Sequence, residues 1–273
     1  MELLLASNDK FLFITVPKNA SRFINRLCPN SMVFTNFENF SKKRVYRFDD
    51  RDGSSLADIT IQDFDDFLNK KIKKNVVMIY RDPQERLITG IGQDFKDIFK
   101  TNYSLHTVYC RMLLSEVTSK YTNGNSILKK MYLDNQYDSN IENMSDEEIQ
   151  IYNVLMKKYI KELFTLSEFS SHTENYLFLY YTLLTMNIDT NKVILCDMDE
   201  DKLLNNMLSD FGFEIEPYRD KNDSNEFFKN LIRDIKNKDK TIQKNIHIKV
   251  REEQFFYGML KNHKSNFTYE IQD

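Results

Sequence analysis

The sequence is poor in glycine, proline and cysteine, and each shortage excludes a class of structure. Its 6 Gly and 4 Pro residues are too few for a Gly/Ser-rich or Pro-rich linker. The 3 cysteines, Cys28, Cys110 and Cys196, are too few and too scattered for a disulfide framework or a zinc site. We therefore expect a protein of a reducing compartment, the cytoplasm, without a metal centre.

Long apolar runs and a strong net charge are also lacking. No run approaches the roughly 20 apolar residues that a membrane span needs, and Leu3-Leu4-Leu5 lacks the basic leader and cleavage pattern of a signal peptide. The balance of 38 Lys and Arg against 41 Asp and Glu gives a net charge of −3, which offers no general attraction to nucleic acid. With 41% hydrophobic and 13% aromatic residues, the chain can build a sizeable core. We expect a soluble, folded protein with no membrane span and no nucleic-acid partner.

Apolar runs rich in β-branched and aromatic residues predict buried strands over Lys10–Val16, Val76–Tyr80 and Lys192–Cys196. Ser145 and Glu148 form a capping box that opens a helix running to about Leu166. Further helices are predicted over 22–27, 61–71, 83–99, 199–211, 225–235 and 250–263. Strands alternating with helices predict one α/β domain over 1–273, with a parallel sheet flanked by helices. The mostly helical stretch over about 104–187 is predicted to be an insertion beside that sheet.

The loop after the first strand has the features of an anion site. A tight turn into a helix presents free backbone N–H groups at the positive end of the helix dipole. Lys18 adds a mobile positive charge, the small Ala20 allows a phosphate to approach the backbone, and Ser21 adds a hydroxyl. The nucleotide-binding sequence GxxxxGK[ST] is absent. The alternative is an ordinary strand–helix turn with a surface lysine.

The loop after the second strand also suits an anion. Arg81 follows the carboxyl end of a buried strand, where open parallel sheets bind ligands, and a guanidinium can hold a phosphate through two hydrogen bonds. Pro83 suits the first turn of the next helix, which can bring the Thr89 hydroxyl toward the same anion. The alternative is that Asp82 caps this helix and pairs with Arg86 without any ligand.

Taken together, the two loops resemble the sulfotransferases that use 3′-phosphoadenosine 5′-phosphosulfate (PAPS), particularly the carbohydrate sulfotransferases. Their first motif, Pro-Lys-x-Gly/Ala-Ser/Thr after a strand, is matched by Pro17-Lys18-Asn19-Ala20-Ser21 and the following Arg22. Their second, Arg-Asp-Pro-x-x-Arg-x-x-Ser, is matched from Arg81 to Thr89, with Thr89 in place of the usual serine. The resemblance implies a P-loop-like fold and the transfer of a sulfuryl group from PAPS to a hydroxyl acceptor on a carbohydrate.

The resemblance also assigns roles to residues. It implies that the loop from Lys18 to Arg22, through Asn19, Ala20 and Ser21, binds the 5′-phosphosulfate. It further implies that Lys18 neutralises the charge that develops on the leaving phosphate, and that Arg81 and Thr89 hold the 3′-phosphate. No metal is required, because Lys18 and the loop can supply the countercharge.

The general base that accepts the acceptor's proton stays open among three residues. In related enzymes a Glu or a His between the two motifs serves as the base. Glu38 and Asp58 lie near such positions in this chain, whereas no histidine lies between the motifs. His172, in a segment that resembles a His-containing segment of the carbohydrate enzymes, is the third candidate.

Two other functions are compatible with the two loops. A nucleotide-dependent kinase of similar fold would also bind phosphates here, although the sequence lacks a clear acidic residue after a strand to hold Mg²⁺. A non-catalytic module could keep the nucleotide site and lack the base. Binding of adenosine 3′,5′-bisphosphate without Mg²⁺ separates the sulfotransferase from the kinase, and measured sulfate transfer separates it from the module.

Overall fold

A computed structural model describes eleven helices and strands of this chain. The described residues are 2–7, 11–15, 30–35, 43–49, 53–59, 75–98, 112, 115–120, 144–166, 173, 193–197, 209 and 223–263. In chain order the elements are β1 (Glu2–Ser7), β2 (Phe11–Thr15), β3 (Asn30–Thr35), β4 (Lys43–Asp49), β5 (Gly53–Ile59), β6 (Asn75–Tyr80), α1 (Pro83–Ile98), α2 (Asp146–Leu166), β7 (Val193–Asp197), α3 (Asp223–Lys238) and α4 (Lys240–His263).

The seven described strands form one sheet in the order β5-β4-β3-β1-β2-β6-β7. Strands β2, β6 and β7 are parallel neighbours, with Ile14 opposite Met78 and Ile79 opposite Cys196. The pairs β2–β1, β1–β3, β3–β4 and β4–β5 are antiparallel. The sheet is therefore mixed, and the sequence analysis did not predict the four strands β1, β3, β4 and β5. Strand formation depends strongly on cross-strand neighbours. Strand β3 pairs with β1 across a long stretch of chain, whereas β1–β2 and β4–β5 are antiparallel pairs separated by only three residues each, which the sequence analysis overlooked. The P-loop-like class stays a prediction.

Two helices begin where local chemistry favours a helix start. Pro83 opens α1 at the position where a missing N–H costs nothing. At α2 the Glu148 N–H donates to Ser145 Oγ over 3.2 Å, and the Ser145 N–H donates to Glu148 Oε2 over 2.9 Å. These reciprocal hydrogen bonds confirm the predicted capping box, and the helix ends at Leu166 as expected.

The chain divides into two compact units. The first comprises Met1–Pro83, Glu174–Tyr218 and Arg251–Asp273, and the second comprises Gln84–Thr173 and Arg219–Val250. The strands belong to the first unit, and the second contains most of α1 together with α2, α3 and the start of α4. The prediction of one domain over 1–273, with an insertion over 104–187, stays a prediction.

The second unit has a continuous apolar core formed by one face of each helix. Phe95 of α1 packs against Tyr159 of α2 and Phe228 of α3, with ring centroids 5.5 Å apart in both pairs. Helix α4 contributes Ile242, Ile246 and Val250, which recur at the i, i+4 spacing of one helical face and are buried. Helix α4 begins at Lys240, ten residues before the start that was predicted at Val250.

In the first unit the buried described side chains lie on the parallel strands, at the start of α1 and on α4. They are Phe13, Thr15, Val77, Met78, Ile79, Tyr80, Pro83, Cys196, Glu253 and Tyr257. Cys196 is a free, buried thiol. Several predicted features lie outside the described residues: the helices over 22–27, 61–71 and most of 199–211, the loop from Lys18 to Arg22, Glu38 and His172.

Candidate functional site

The carboxyl ends of β2 and β6 lie side by side at one edge of the sheet. Because these strands are parallel neighbours with Ile14 opposite Met78, the chain leaves both of them in the same direction. Parallel neighbours are about 4.8 Å apart. Strand β7 continues this edge, with Asp197 opposite Tyr80. The residues that follow β2 and β6, which include both sequence motifs, therefore start from adjacent points.

Arg81 immediately follows β6 and is partly buried. The Asp82 side chain, directly before the first residue of α1, accepts a hydrogen bond from Gln254 Nε2 at 3.3 Å. The sequence analysis paired Asp82 with Arg86 as an alternative to ligand binding. The tertiary structure supplies a partner from α4 that lies far away in sequence. The turn after β6 is thus held by α4, the last of the described helices.

A second contact joins α4 to the end of β6. The rings of Tyr257 and Tyr80 meet edge to face, with centroids 5.4 Å apart and an interplanar angle of 66°. Both rings are buried. The sequence analysis predicted a helix over 250–263 but gave no site role to Gln254 or Tyr257.

Thr89 lies on α1 and uses its hydroxyl within the helix. Its Oγ1 donates to the Glu85 carbonyl oxygen at 2.8 Å. The side chain is partly exposed. A phosphate could receive this proton only if the hydroxyl rotated away from the carbonyl, and a helix tolerates the loss of such a hydrogen bond.

An ion-pair network surrounds the first turn of α1 within the second unit. Arg233 Nη2 donates to Glu85 Oε2, while its Nη1 donates to Glu226 Oε1 at 3.3 Å. The hydrogen bond to Glu85 is the main reason why the pKa of Arg233 is raised. Burial raises the pKa of Glu226, but hydrogen bonds from Lys229 and Arg233 and their charges outweigh it, so this pKa is lowered. Arg86 is 3% exposed and therefore belongs to the interior of this unit.

Asp58 does not lie beside the ends of β2 and β6. It belongs to β5, at the opposite border of the described sheet, and is paired in register with Arg44. Four inter-strand steps separate β5 from β2, which corresponds to about 19 Å across the sheet. A general base must reach hydrogen-bond distance of the proton that it abstracts. The described sheet thus brings Arg81 and the end of β2 together but does not bring Asp58 to them.

The other two candidate bases, Glu38 and His172, lie outside the described residues. The residue after His172 is described: Thr173 is buried, and its Oγ1 donates to Asp94 Oδ2 of α1 at 3.2 Å. Asp94 lies about 7.5 Å along the helix axis beyond Thr89. Thr173, the neighbour of His172, therefore contacts α1 more than one helical turn beyond Thr89.

Within the described ranges, no group of three or more His, Cys, Asp or Glu side chains is arranged to hold a metal ion. In the same part of the chain, no helix combines the length and the apolar character needed to cross a bilayer.

Comparison of the chain with protein-family models, with curated proteins and with solved structures gives no match.

Proposed function

We propose that this protein is a sulfotransferase that moves a sulfuryl group from PAPS to a hydroxyl acceptor on a carbohydrate. The proposal rests on the two sequence motifs, from Pro17 to Arg22 and from Arg81 to Thr89. We place the enzyme in the cytoplasm, because the chain has few cysteines.

One structural observation supports the proposal above all others: β2 and β6 are adjacent and parallel. Each motif begins at the carboxyl end of one of these strands. A donor with phosphates at both ends of one adenosine needs two anion sites, and adjacent strand ends can supply them.

The described residues fit part of the donor. Arg81 is partly exposed at this edge and can hold the 3′-phosphate through two charge-assisted hydrogen bonds. The resemblance assigns a third hydrogen bond to the hydroxyl of Thr89, a partly exposed residue. When bound, PAPS supplies an activated sulfuryl group whose bond to the 5′-phosphate breaks as the acceptor oxygen attacks. Lys18 and the backbone N–H groups of its loop would neutralise the charge that develops on that phosphate.

The acceptor hydroxyl needs a base, and Glu38, Asp58 and His172 are its candidates. The strand that carries Asp58, β5, lies about 19 Å across the sheet from β2, whereas Glu38 and His172 lie outside the described residues. Replacing each carboxylate by its amide and His172 by Gln separates them. Loss of the base should lower kcat by at least about a hundredfold, while the affinity for adenosine 3′,5′-bisphosphate stays unchanged.

The first experiment measures donor-site binding by calorimetry, with adenosine 3′,5′-bisphosphate in EDTA and with Mg-ATP. We expect the bisphosphate to bind without Mg²⁺. Lys18→Ala and Arg81→Ala should each weaken it at least about tenfold, since each removes a charge-assisted hydrogen bond. Lys244→Ala, which removes an exposed lysine of α4, is the control that should leave affinity unchanged.

Three results would contradict the proposal. A preference for Mg-ATP over the bisphosphate would indicate a kinase. Bisphosphate affinity that is the same in Lys18→Ala, Arg81→Ala and Lys244→Ala would show that the two motifs do not form the site. Binding without sulfate transfer to any hydroxyl acceptor would indicate a non-catalytic module.

A further inference from the structure

Helix α4 contacts the residues on both sides of Arg81. Gln254 Nε2 donates a hydrogen bond to Asp82 Oδ2 at 3.3 Å, and the ring of Tyr257 meets the ring of Tyr80 edge to face. Gln254 and Tyr257 are three positions apart, so they are neighbours on one face of the helix. All of these residues belong to the first unit. One face of α4 therefore lies against the turn that carries Arg81.

The two flanks of Arg81 differ in how they are held. Tyr80 is the last residue of β6, and its side chain is buried. Asp82 lies between the end of β6 and the start of α1 at Pro83, outside both elements, and is partly exposed. Its hydrogen bond from Gln254 spans 172 positions of the sequence. This hydrogen bond therefore ties the irregular part of the turn to α4.

The orientation of this turn matters for an arginine that binds phosphate. A guanidinium donates two hydrogen bonds to a phosphate only when its plane and the phosphate oxygens are aligned. Arg81 is bonded directly to Asp82, so a shift of the backbone at Asp82 also moves the base of the Arg81 side chain. Misplacement of a binding group by about 1 Å can lower activity strongly.

We propose that Gln254 is a positioning residue for the 3′-phosphate of the donor. Its hydrogen bond to Asp82 holds the turn after β6, so that Arg81 meets the phosphate in one orientation. This inference rests on the proposed function and extends it to α4. A turn that is already ordered loses less entropy when the nucleotide binds, so Gln254 raises the affinity without touching the nucleotide.

The test compares the affinities of two nucleotides in calorimetric titrations. Adenosine 3′,5′-bisphosphate carries the phosphate that Arg81 would bind, and adenosine 5′-monophosphate lacks it. Gln254→Met keeps the length of the side chain and removes the donor. We expect it to raise the Kd for the bisphosphate about fivefold, as for one lost hydrogen bond, and to change the Kd for the monophosphate by less than about twofold.

A matched control uses the same helix. Gln243 is also an exposed glutamine of α4, and it lies about 16 Å along the helix axis from Gln254. Gln243→Met should change neither Kd. Urea denaturation should give nearly the same midpoint for both variants and the wild type, because both side chains are exposed.

A second variant approaches the same hydrogen bond from its acceptor. Asp82→Ala should also weaken binding of the bisphosphate more than binding of the monophosphate. In the Asp82→Ala background, Gln254→Met should cause no additional loss of bisphosphate affinity, because the effect of Gln254 acts through Asp82.

The outcomes distinguish this inference from the proposed function. Equal weakening of both nucleotides by Gln254→Met would show a general structural role and overturn the inference. Unchanged bisphosphate affinity in Gln254→Met, or a further loss in the Asp82→Ala background, would also overturn it, while the proposed function stands. A wild-type protein that binds neither nucleotide would overturn both.

Discussion

At the scale of single residues, the structure shows how the side chains of the second motif are arranged. Arg81 lies at the strand end, Pro83 opens α1, and the Thr89 hydroxyl donates to the Glu85 carbonyl. In the proposed site Thr89 would exchange this intrahelical hydrogen bond for one to the 3′-phosphate. This exchange costs little free energy, because the Glu85 carbonyl oxygen keeps its backbone hydrogen bond within the helix.

Thr89→Val tests this exchange, because valine keeps the shape of threonine and lacks its hydroxyl. We expect the affinity for adenosine 3′,5′-bisphosphate to fall about tenfold, with the urea midpoint of unfolding nearly unchanged. Thr89→Ser, which keeps the hydroxyl, should bind like the wild type. Calorimetry and urea titration provide the two measurements. Equal affinities in the valine and serine variants would exclude Thr89 from the site.

At the scale of elements, Asp239 joins three helices of the second unit. It stands between α3 and α4, and its Oδ1 accepts hydrogen bonds from the N–H groups of Thr241 and Ile242 at 3.1 and 3.2 Å. Its Oδ2 lies 3.0 Å from Lys157 Nζ and 3.6 Å from Lys161 Nζ of α2. It thus caps α4 and ties that junction to α2.

These contacts make the junction sensitive to acid. The hydrogen bond from Lys157, the backbone N–H of Ile242 and the two lysine charges lower the pKa of Asp239 from 3.8 to about 2. A lowered carboxyl pKa gives stability that is fully present above the ordinary value and is lost as the pH falls through the folded value. The contribution should therefore disappear between about pH 4 and about pH 2.

Asp239→Asn isolates this contribution, since asparagine caps helices about as well but carries no charge. We expect the wild type to have the higher urea midpoint near pH 6, with a difference that shrinks as the pH falls from about 4 to about 2. Lys240→Gln changes an exposed charge next to the junction and should show no such pH dependence. A constant difference between the wild type and Asp239→Asn across this range would contradict the charge effect.

At the scale of the whole molecule, the free energy of unfolding depends on apolar packing within each of the two compact units. In the second unit, Phe228 is 1% exposed and touches the rings of Phe95, Tyr152 and Phe227. Free energies of unfolding are typically about 5–15 kcal/mol, so the loss of one such ring removes a large fraction of the total.

Phe228→Ala should lower the free energy of unfolding by about 3–5 kcal/mol, through lost burial and the cavity that remains. The matched control is Phe255→Ala on α4, whose side chain is 73% exposed; it should change stability by no more than about 0.5 kcal/mol. Urea denaturation followed by circular dichroism measures both. Similar losses in the two variants would contradict the packing described for this unit.

Some elements could be predicted from the sequence because they depend on local interactions. The capping box of Ser145 and Glu148 and the start of α1 at Pro83 depend on residues within one helical turn, so their chemistry can be recognised without a fold. The start of α4 was missed, although Asp239 and the spacing of Ile242, Ile246 and Val250 are also local signals. The candidate donor-site residues came from motif resemblance, and only Arg81 and Thr89 of them are described.

The sequence by itself determined where several helices begin and which runs are apolar enough for strands, because these properties depend on neighbours along the chain; it also supplied the residues that we propose for phosphate binding. Only the tertiary structure decided that β2 and β6 are adjacent, that three strands lie between β2 and the strand that carries Asp58, and that α4 contacts the turn at Arg81. Strand order and helix docking depend on contacts between distant residues. The sequence pattern of one strand or helix does not specify which other element it pairs with or packs against.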